Sequence, residues 1–396
     1  MCESQSVIHR KGVSSKTVPV DKAVGMVLPH DITEIRPGEF KGRAFKKGHI
    51  VRDEDIEHLK RLGKEHLYIL EIQEDEMHEN DAALAMAKAL AGHGVAMAGE
   101  PNEGKINLVA EKSGLLKVHH TALTDFNMLG EVMCATVHNN TVVNKGETVA
   151  GTRAIPLVVR KSMVSEAVKI AENARGVLSI KEIRKPKAGI VITGNEVYNG
   201  KIKDAFEPVI RKKIQGVDGD IIGVHFAPDD AEFITNKIVE LISAGADLII
   251  TTGGMSVDPD DVTRFAIRDL GVEELYYGSP VLPGAMFLIA YISAEAGKCG
   301  SAKELKRENA EARKYQSVEE NKSVPYELTN LRADELIPVL GIPACGMYAC
   351  ITVFDLVLPR VLAGEKIGRR ELAELGHGGL CLKCSECRYP VCPFGK

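Results

Sequence analysis

Three strand–helix units in succession constrain the fold of this chain more than any other feature. Apolar runs at GIVITG (189–194), GDIIGVHF (219–226) and LII (248–250) are each followed by a helical pattern. Short apolar runs bounded by turn residues are typical of strands buried on both faces, and strand–helix alternation favours a parallel sheet. The chain is therefore predicted to contain an α/β domain, in which a parallel sheet forms the middle of three layers.

Polar residues and glycines follow each of these strands. Because the carboxyl ends of parallel strands meet at one sheet edge, where α/β proteins bind ligands, we expect these residues to lie together. Adjacent glycines let the backbone approach something closely and leave its N–H groups free for an anion. Carboxylates suit Mg²⁺ that bridges to phosphate. The pattern predicts a phosphate–Mg²⁺ site, although any one set could simply cap a helix. The residues are Thr193, Gly194 and Glu196; Asp229 and Asp230; and Thr252, Gly253, Gly254, Ser256, Asp260 and Asp261.

Composition excludes several functional classes. The net charge is −5, aromatic residues make up 5% and tryptophan is absent, whereas nucleic-acid binding favours a basic surface and aromatic stacking. The N-terminus has no apolar signal segment, and the longest uncharged apolar run, 281–294, is too short to cross a bilayer. We therefore expect a cytoplasmic protein that binds neither nucleic acid nor membrane, and whose nine cysteines are reduced or bound to metal.

The 396 residues are expected to form two or three domains and a tail. Residues 1–75 are predicted to be a mixed α/β segment with a hairpin or small barrel element at FKGRAFKKGHIV (40–51). Residues 76–186 are predicted to be a linker helix with a β-rich domain. The α/β domain is expected to span 187–365, with a charged insertion at about 299–330, and 366–396 to form a cysteine-rich tail.

Three local patterns outside the strand–helix units carry specific predictions. The acidic run EIQEDEMHEN (71–80) indicates a linker. The adjacent His119 and His120 are predicted to lie on a strand, where they would face opposite ways and could not share a metal. The apolar stretch 347–362 predicts one long helix, whose N-terminus just after a strand offers a second anion site.

Four closely spaced cysteines mark the tail. Their spacing, C-x2-C-x2-C-x4-C, is close to that of a ferredoxin run, and Pro393 follows the last of them. In a reducing compartment such a set favours tetrahedral Zn²⁺ or an iron–sulfur cluster over plain thiols, with His377 as an alternative ligand. The four are Cys381, Cys384, Cys387 and Cys392.

Ordered motifs across residues 187–365 resemble the molybdopterin-binding domain shared by molybdopterin molybdenumtransferase, molybdopterin adenylyltransferase and gephyrin. The first 180 residues are similar to the mixed N-terminal domains of the molybdenumtransferase branch, on the run VDKAVGMVLPHDITEI. The motifs are TGNE (193–196), Gly200 with Asp204, PDD (228–230), TTGGMSVDPDDVT (251–263), Pro283-Gly284 and GIPACG (341–346).

The resemblance implies Mg²⁺-dependent insertion of molybdate into adenylated molybdopterin, with release of AMP. It implies that Glu196, Asp229 and Asp261 act in catalysis, that Asp230 and Asp261 hold Mg²⁺, and that Asp260 caps the following helix. A homo-oligomer is expected. The residues implied in binding the pterin and its phosphate are Thr193, Gly194, Thr252, Gly253, Gly254, Ser256, Thr263, Pro283, Gly284, Gly341 and Pro343.

Two departures from the family pattern support other functions. Leu282 and Ala285 stand where the family has lysines beside Pro-Gly, and the acidic run Ser-Ala-Met-Asp-Gly-Tyr-Ala has no counterpart in residues 1–90. One alternative is a non-catalytic molybdopterin carrier or partner of a molybdoenzyme. Another is molybdopterin adenylyltransferase, which the Asp-Val-Thr after the glycine turn also resembles.

Overall fold

A computed structural model describes residues 15–26, 28–36, 40–47, 49, 51–70, 73–255, 261–272, 274–293 and 336–395. The described chain divides into two compact units. The first comprises the residues up to Lys112 with Leu116–His138 and Val143–Ile180, and the second comprises Ser113–Leu115, Asn139–Val142 and the residues from Lys181 onward. The charged insertion predicted at about 299–330 lies outside the described residues.

The N-terminal part of the first unit contains two antiparallel strand pairs and one helix. Strands β2 and β3 form a hairpin, and β1 pairs with β4. The hairpin predicted within 40–51 is wrong, because the strand from this stretch pairs with the preceding residues 32–36. Gly63, with a φ of +73°, follows the helix and ends it, as glycine does at many helix C-termini. The elements are β1 Ser15–Pro19, β2 Ile32–Arg36, β3 Phe40–Phe45, α1 Asp55–Arg61 and β4 His66–Leu70.

The remainder of the chain before Lys181 is β-rich, as predicted, but is built around helices. Strands in the order β6-β7-β11-β9 form an antiparallel sheet, and the apolar face of α2 lies in the core of the unit. The elements are β5 Glu76–His78, α2 Glu79–Leu90, β6 Val95–Asn102, β7 Lys105–Ala110, β8 Gly114–Val118, α3 His120–Met128, β9 Val132–Thr136, β10 Val142–Val143, β11 Thr148–Ala154, β12 Val158–Arg160, α4 Lys161–Asn173 and β13 Leu178–Lys181.

Two local predictions in this region are wrong. The described part of the predicted linker includes β5, which pairs with β12, and Glu79 is buried at the start of α2. The two histidines do not lie on a strand, because His119 is the N-cap of α3. Its Nδ1 accepts a hydrogen bond from the backbone N–H of Ala122, at 3.2 Å.

The second unit contains the predicted α/β domain. Its helices and strands follow the order of the three predicted strand–helix units closely. The elements are β14 Lys187–Thr193, α5 Asn195–Tyr198, α6 Phe206–Gln215, β15 Asp220–Ala227, α7 Ala231–Ser243, β16 Leu248–Thr252, α8 Thr263–Asp269, β17 Glu274–Tyr277, β18 Leu288–Ser293, β19 Leu336–Ile342, a 3-10 turn at Ala344–Met347, α9 Val353–Leu362 and α10 Arg369–Glu374.

One six-stranded sheet in the order β15-β14-β16-β19-β18-β17 separates two apolar cores. Successive residues of a strand face opposite sides, so Ile190 and Ile192 lie in the core with α6 and α9, while Val191 lies in the core with α7 and α8. The three-layer prediction is confirmed. The sheet is not entirely parallel, however, because β18 runs antiparallel to β19, and β17 antiparallel to β18.

The predicted long helix at 347–362 is shorter than expected. A 3-10 turn follows β19, and α9 begins only at Val353. Thr352 caps α9 in a capping box: its Oγ1 accepts from the N–H of Phe354, and the Asp355 carboxylate accepts from the Thr352 N–H. The first N–H groups of α9 are therefore satisfied partly by its own side chains. The predicted helix start directly after the strand is wrong, and a second anion site here stays a prediction. No helix in the described ranges is long and apolar enough to span a bilayer.

Candidate functional site

Four parallel strands end together at one edge of the sheet. Thr193 of β14 is in register with Ala227 of β15, and Thr252 of β16 with Ile342 of β19. The segments after these strands therefore reach the same edge, as the sequence predicted. This edge carries the residues singled out after β14, β15 and β16, together with Pro343 after β19.

Buried threonines join the strand ends to helix α8. The Thr193 hydroxyl lies 2.7 Å from the Thr252 carbonyl oxygen, to which it donates, and 2.9 Å from the Thr263 hydroxyl. All three residues are at most 4% exposed. Their geometry ties β14, β16 and the start of α8 into one unit, so any contribution of Thr193 and Thr263 to a ligand would act through the backbone that they position.

The Thr252 side chain is different, because its hydroxyl is buried and has no hydrogen-bond partner. Thr251 shares this property one residue earlier. An unpaired buried hydroxyl costs free energy.

The glycine turn after β16 requires glycine at both positions. Gly253 and Gly254 have φ values of +78° and +57°. A Cβ on Gly253 would lie 2.3 Å from the carbonyl oxygen of Thr193, and one on Gly254 would lie 2.3 Å from the Oγ1 of Thr263. The backbone of the turn thus packs directly against Thr193 and Thr263. Only glycine, which has no Cβ, permits so close an approach.

Met255 fixes the far side of this turn. It is 3% exposed, and its carbonyl oxygen accepts a hydrogen bond of 2.5 Å from the Tyr277 hydroxyl. A Cβ on Gly341 of β19 would lie 2.5 Å from the Met255 Cε, so the Met255 side chain packs directly over this glycine. Met255 and Tyr277 carried no predicted role, because nothing local in the sequence links a methionine to a tyrosine 22 residues away.

Asp229 is paired with the segment that follows β14. Its carboxylate accepts from the backbone N–H of Asn195 at 2.9 Å, and the Asn195 Oδ1 accepts from the backbone N–H of Asp229 at 3.2 Å. This reciprocal pair joins the ends of β14 and β15. Asn195 carried no predicted role, although an asparagine directly after a strand end is typical of side chains that bond the backbone.

Asp230 caps helix α7. Its Oδ1 accepts a hydrogen bond of 2.7 Å from the backbone N–H of Phe233. A carboxylate in this position satisfies an otherwise unpaired N–H and complements the helix dipole. Asp230 therefore acts as a helix cap, which was the alternative to a metal site. The predicted role of Asp230 in binding Mg²⁺ stays a prediction.

The other predicted carboxylates differ in exposure. Glu196 lies on α5 and is exposed, whereas Asp261 is half-buried and precedes α8 by two residues. Ser256 and Asp260 lie outside the described residues. Within the described ranges, no three His, Cys, Asp or Glu side chains form a group that could hold a metal ion.

Residues 189–363 match the family described as "Probable molybdopterin binding domain". This part of the chain belongs to the molybdopterin-binding domain family. The resemblance drawn from the motifs is confirmed at this level. Residues 17–71 match a second family, described as a domain of unknown function.

Individual relatives match only parts of the chain. A CinA-like protein of Thermosipho melanesiensis is 35% identical over 91 residues, which is 23% of this chain and 22% of the relative. A molybdopterin molybdenumtransferase of Staphylococcus aureus is 26% identical over 165 residues, 40% of this chain and 38% of the relative. The chain thus spans well under half the length of these relatives. Among solved structures, the molybdopterin biosynthesis enzyme MoaB of Thermus thermophilus is 18% identical and has a TM-score of 0.26, covering 46% of this chain and 98% of its own.

A second loop of the molybdopterin-binding domain carries Pro283 and Gly284. It is held against the start of α9, because the Pro283 carbonyl oxygen accepts from the N–H of Val353 at 3.3 Å. Gly284 has a φ of +132°, and a Cβ there would lie 2.5 Å from the Val353 Cγ1. Gly284 is therefore required for close packing, and the role of both residues in binding the pterin stays a prediction.

The cysteine tail lies on this same domain, next to Pro283. The backbone of Leu282 exchanges hydrogen bonds of 2.8 Å with Gly379 and Cys381, and Phe394 is buried in the core beneath α9. His377 is exposed and does not line the cavity that the tail encloses. The tail cysteines form no disulfide.

Proposed function

We propose that this chain acts in molybdenum cofactor biosynthesis, as a Mg²⁺-dependent enzyme that inserts molybdate into adenylated molybdopterin and releases AMP. One observation carries the proposal: a glycine turn and carboxylate-bearing segments meet at the carboxyl edge of the sheet, within a domain of the molybdopterin-binding family. This is the edge at which open α/β sheets bind ligands.

The chemistry of the edge suits a phosphate ligand with Mg²⁺. Mg²⁺ prefers oxygen ligands and usually takes one or two carboxylates, with the rest from water and phosphate. Asp261 and Glu196 are the carboxylates of this edge that would hold it, with Asp229 positioning the Asn195 segment. When bound, Mg²⁺ would supply charge neutralisation during cleavage of the phosphoanhydride. The backbone of Gly253 and Gly254 would bind phosphate.

Release of AMP tests the reaction directly. The full chain, incubated with adenylated molybdopterin, molybdate and Mg²⁺, is expected to release AMP in a molybdate-dependent manner. Absence of AMP above background, with a correctly folded protein, would exclude the transferase. Release of pyrophosphate from ATP and free molybdopterin would instead support the adenylyltransferase alternative.

Asp261→Asn tests the position of the site. The variant is expected to melt near wild type, because an amide nearly preserves the shape of the side chain, yet to lose Mg²⁺-dependent binding of adenylated molybdopterin. Asp220→Asn is the matched control, since Asp220 is exposed at the opposite end of the same sheet. Normal binding by Asp261→Asn at limiting Mg²⁺ would mean that the carboxylate is not part of the site.

A non-catalytic role in binding molybdopterin is the second candidate. It is favoured by Leu282 and Ala285, which place an exposed apolar side chain and a methyl group beside Pro283-Gly284. Lysine is a natural point charge for an oxyanion such as molybdate, and neither residue can replace it. Tight binding of molybdopterin without turnover would support this carrier function.

A further inference from the structure

The outermost strand β17 also ends at the carboxyl edge of the sheet. It runs antiparallel to β18, and β18 runs antiparallel to β19, so β17 and β19 have the same direction. Tyr277, the last residue of β17, pairs with Leu288, which pairs with Gly341 of β19. Gly341 in turn pairs with Thr251, one residue before the end of β16. Tyr277 therefore lies at the same edge as the glycine turn.

Arg264, the second residue of α8, lies over the Tyr277 ring at this edge. Its guanidinium carbon Cζ is 5.5 Å from the centre of that ring and 4.7 Å from the centre of the Phe265 ring. Side chains of a helix lean toward its N-terminus. Helix α8 begins at Thr263, whose hydroxyl contacts the Thr193 hydroxyl at the end of β14. The guanidinium is thus held between the start of α8 and the end of β17.

Tyr277 connects this arginine to the glycine turn. Its hydroxyl donates to the carbonyl oxygen of Met255, the residue directly after the two glycines, while its ring contacts the guanidinium of Arg264. A cation over an aromatic ring is attracted to the face of that ring. Such a contact uses none of the N–H donors of arginine, which all lie in the plane of the guanidinium. The donors of Arg264 are therefore positioned but not consumed by the stacking.

The Arg264 guanidinium also lacks an anionic partner among the residues that the structure describes. Its Nε is buried without a hydrogen bond, so a ligand would meet the two terminal amino groups. Arg268, one turn later over the same Phe265 ring, differs because it is paired with Asp269 at 3.9 Å. The planar fork of arginine matches two oxygens of a phosphate group. Beside a glycine turn, an arginine without a carboxylate partner favours a phosphate ligand.

We infer that Arg264 binds the phosphate of a nucleoside monophosphate group held at the glycine turn. The anion site then extends from the backbone after β16 to the end of β17, with the guanidinium supplying the positive charge. This inference rests on the proposed function, which assigns the adenylyl phosphate of the substrate to the same edge. It adds a residue for which the sequence analysis predicted no role.

Equilibrium binding of AMP tests this role without requiring turnover. The full chain is expected to bind AMP in the presence of Mg²⁺, and Arg264→Gln to bind it about tenfold or more weakly, because charge-assisted hydrogen bonds to phosphate are lost. Arg264→Lys keeps the charge but not the planar fork, and should retain part of the affinity. Adenosine, which has no phosphate, should not distinguish either variant from wild type.

Arg268→Gln is the matched control, because Arg268 shares the Phe265 ring but lies one turn further from the edge. Thermal melting of each variant separates loss of binding from loss of the fold. Wild-type affinity for AMP in Arg264→Gln, an equal loss in Arg268→Gln, or no binding of AMP by the wild type would each overturn the inference. Arg264-dependent binding of AMP, without release of AMP from adenylated molybdopterin, would reject the transferase reaction but support this phosphate site.

Discussion

At Gly253, the backbone conformation and its surroundings both exclude a side chain. Gly253→Ala is expected to destabilise the protein by about 1–2 kcal/mol for the left-handed backbone, with a further 1–3 kcal/mol or so for the overlap with Thr193. Gly245→Ala is the matched control, since Gly245 has a φ of +96° but open space where a Cβ would lie. Gly245→Ala should show only the free-energy cost of the left-handed backbone. Urea denaturation measures the free energy of unfolding of both variants.

Equal losses in the two variants would contradict the packing of the turn against β14. The comparison also bears on what sequence can reveal. The GG pair at 253–254 indicated a close backbone approach, and such an approach exists, but to the protein's own Thr193 and Thr263. Sequence cannot distinguish an approach to a ligand from an approach to a neighbouring strand, because glycine serves both.

Helix α9 shows how a cap determines where an element begins. Thr352→Ala is expected to cost about 1 kcal/mol, because it removes the oxygen that accepts from the Phe354 N–H. Thr352→Ser keeps this oxygen and is expected to stay within a few tenths of a kcal/mol of wild type. The free energy of unfolding in urea measures the difference. An alanine variant as stable as the serine variant would show that the box contributes nothing.

The start of α9 was mispredicted for a specific reason. The stretch 347–362 is apolar almost throughout, so its hydrophobic pattern gives no boundary, and only the Thr352–Asp355 pair marks one. Helix α3 was missed for the opposite reason. Its nine residues are flanked by strands, and the histidine pair formed by its N-cap and first residue resembles the end of the preceding strand. In contrast, strands β14, β15 and β16 were predicted from GIVITG, GDIIGVHF and LII, because turn residues bound these apolar runs.

Strand direction in the large sheet depends on the whole molecule. The runs that become β14, β15 and β16 alternate with helices, and this alternation predicts parallel pairing. The sequence around β18 does not indicate the direction in which this strand runs. It inserts between β19 and β17 and runs antiparallel to both, which only the complete topology specifies.

The ion pair of Glu274 and Lys366 links β17 to the segment before α10, and it should make stability depend on pH. Burial acts to raise the pKa of Glu274, but hydrogen bonds from Lys366 at 3.0 Å and Tyr276 at 2.9 Å outweigh it, so the pKa is lowered. Its contribution to stability is present above the ordinary glutamate pKa of about 4.3 and is lost as pH falls through the lowered value.

Glu274→Gln is therefore expected to lower the melting temperature at neutral pH and to match wild type once the carboxyl is protonated. Melting curves from neutral pH down to about pH 3 measure this convergence. Glu172→Gln on α4, at an exposed position, should show no such trend. A difference between Glu274→Gln and wild type that persists at the lowest pH would show that the carboxylate charge is not its source.

The place of β19 in the sheet has a consequence for synthesis of the chain. It lies between β16 and β18 and pairs with both, yet β18 ends at Ser293 and β19 begins only at Leu336. While the ribosome makes the residues between them, at about 5–20 per second, the strands on either side have no central partner. Unpaired apolar strand edges are templates for pairing with other chains. The nascent protein is thus most exposed to aggregation during this interval, and chaperone binding should be concentrated there.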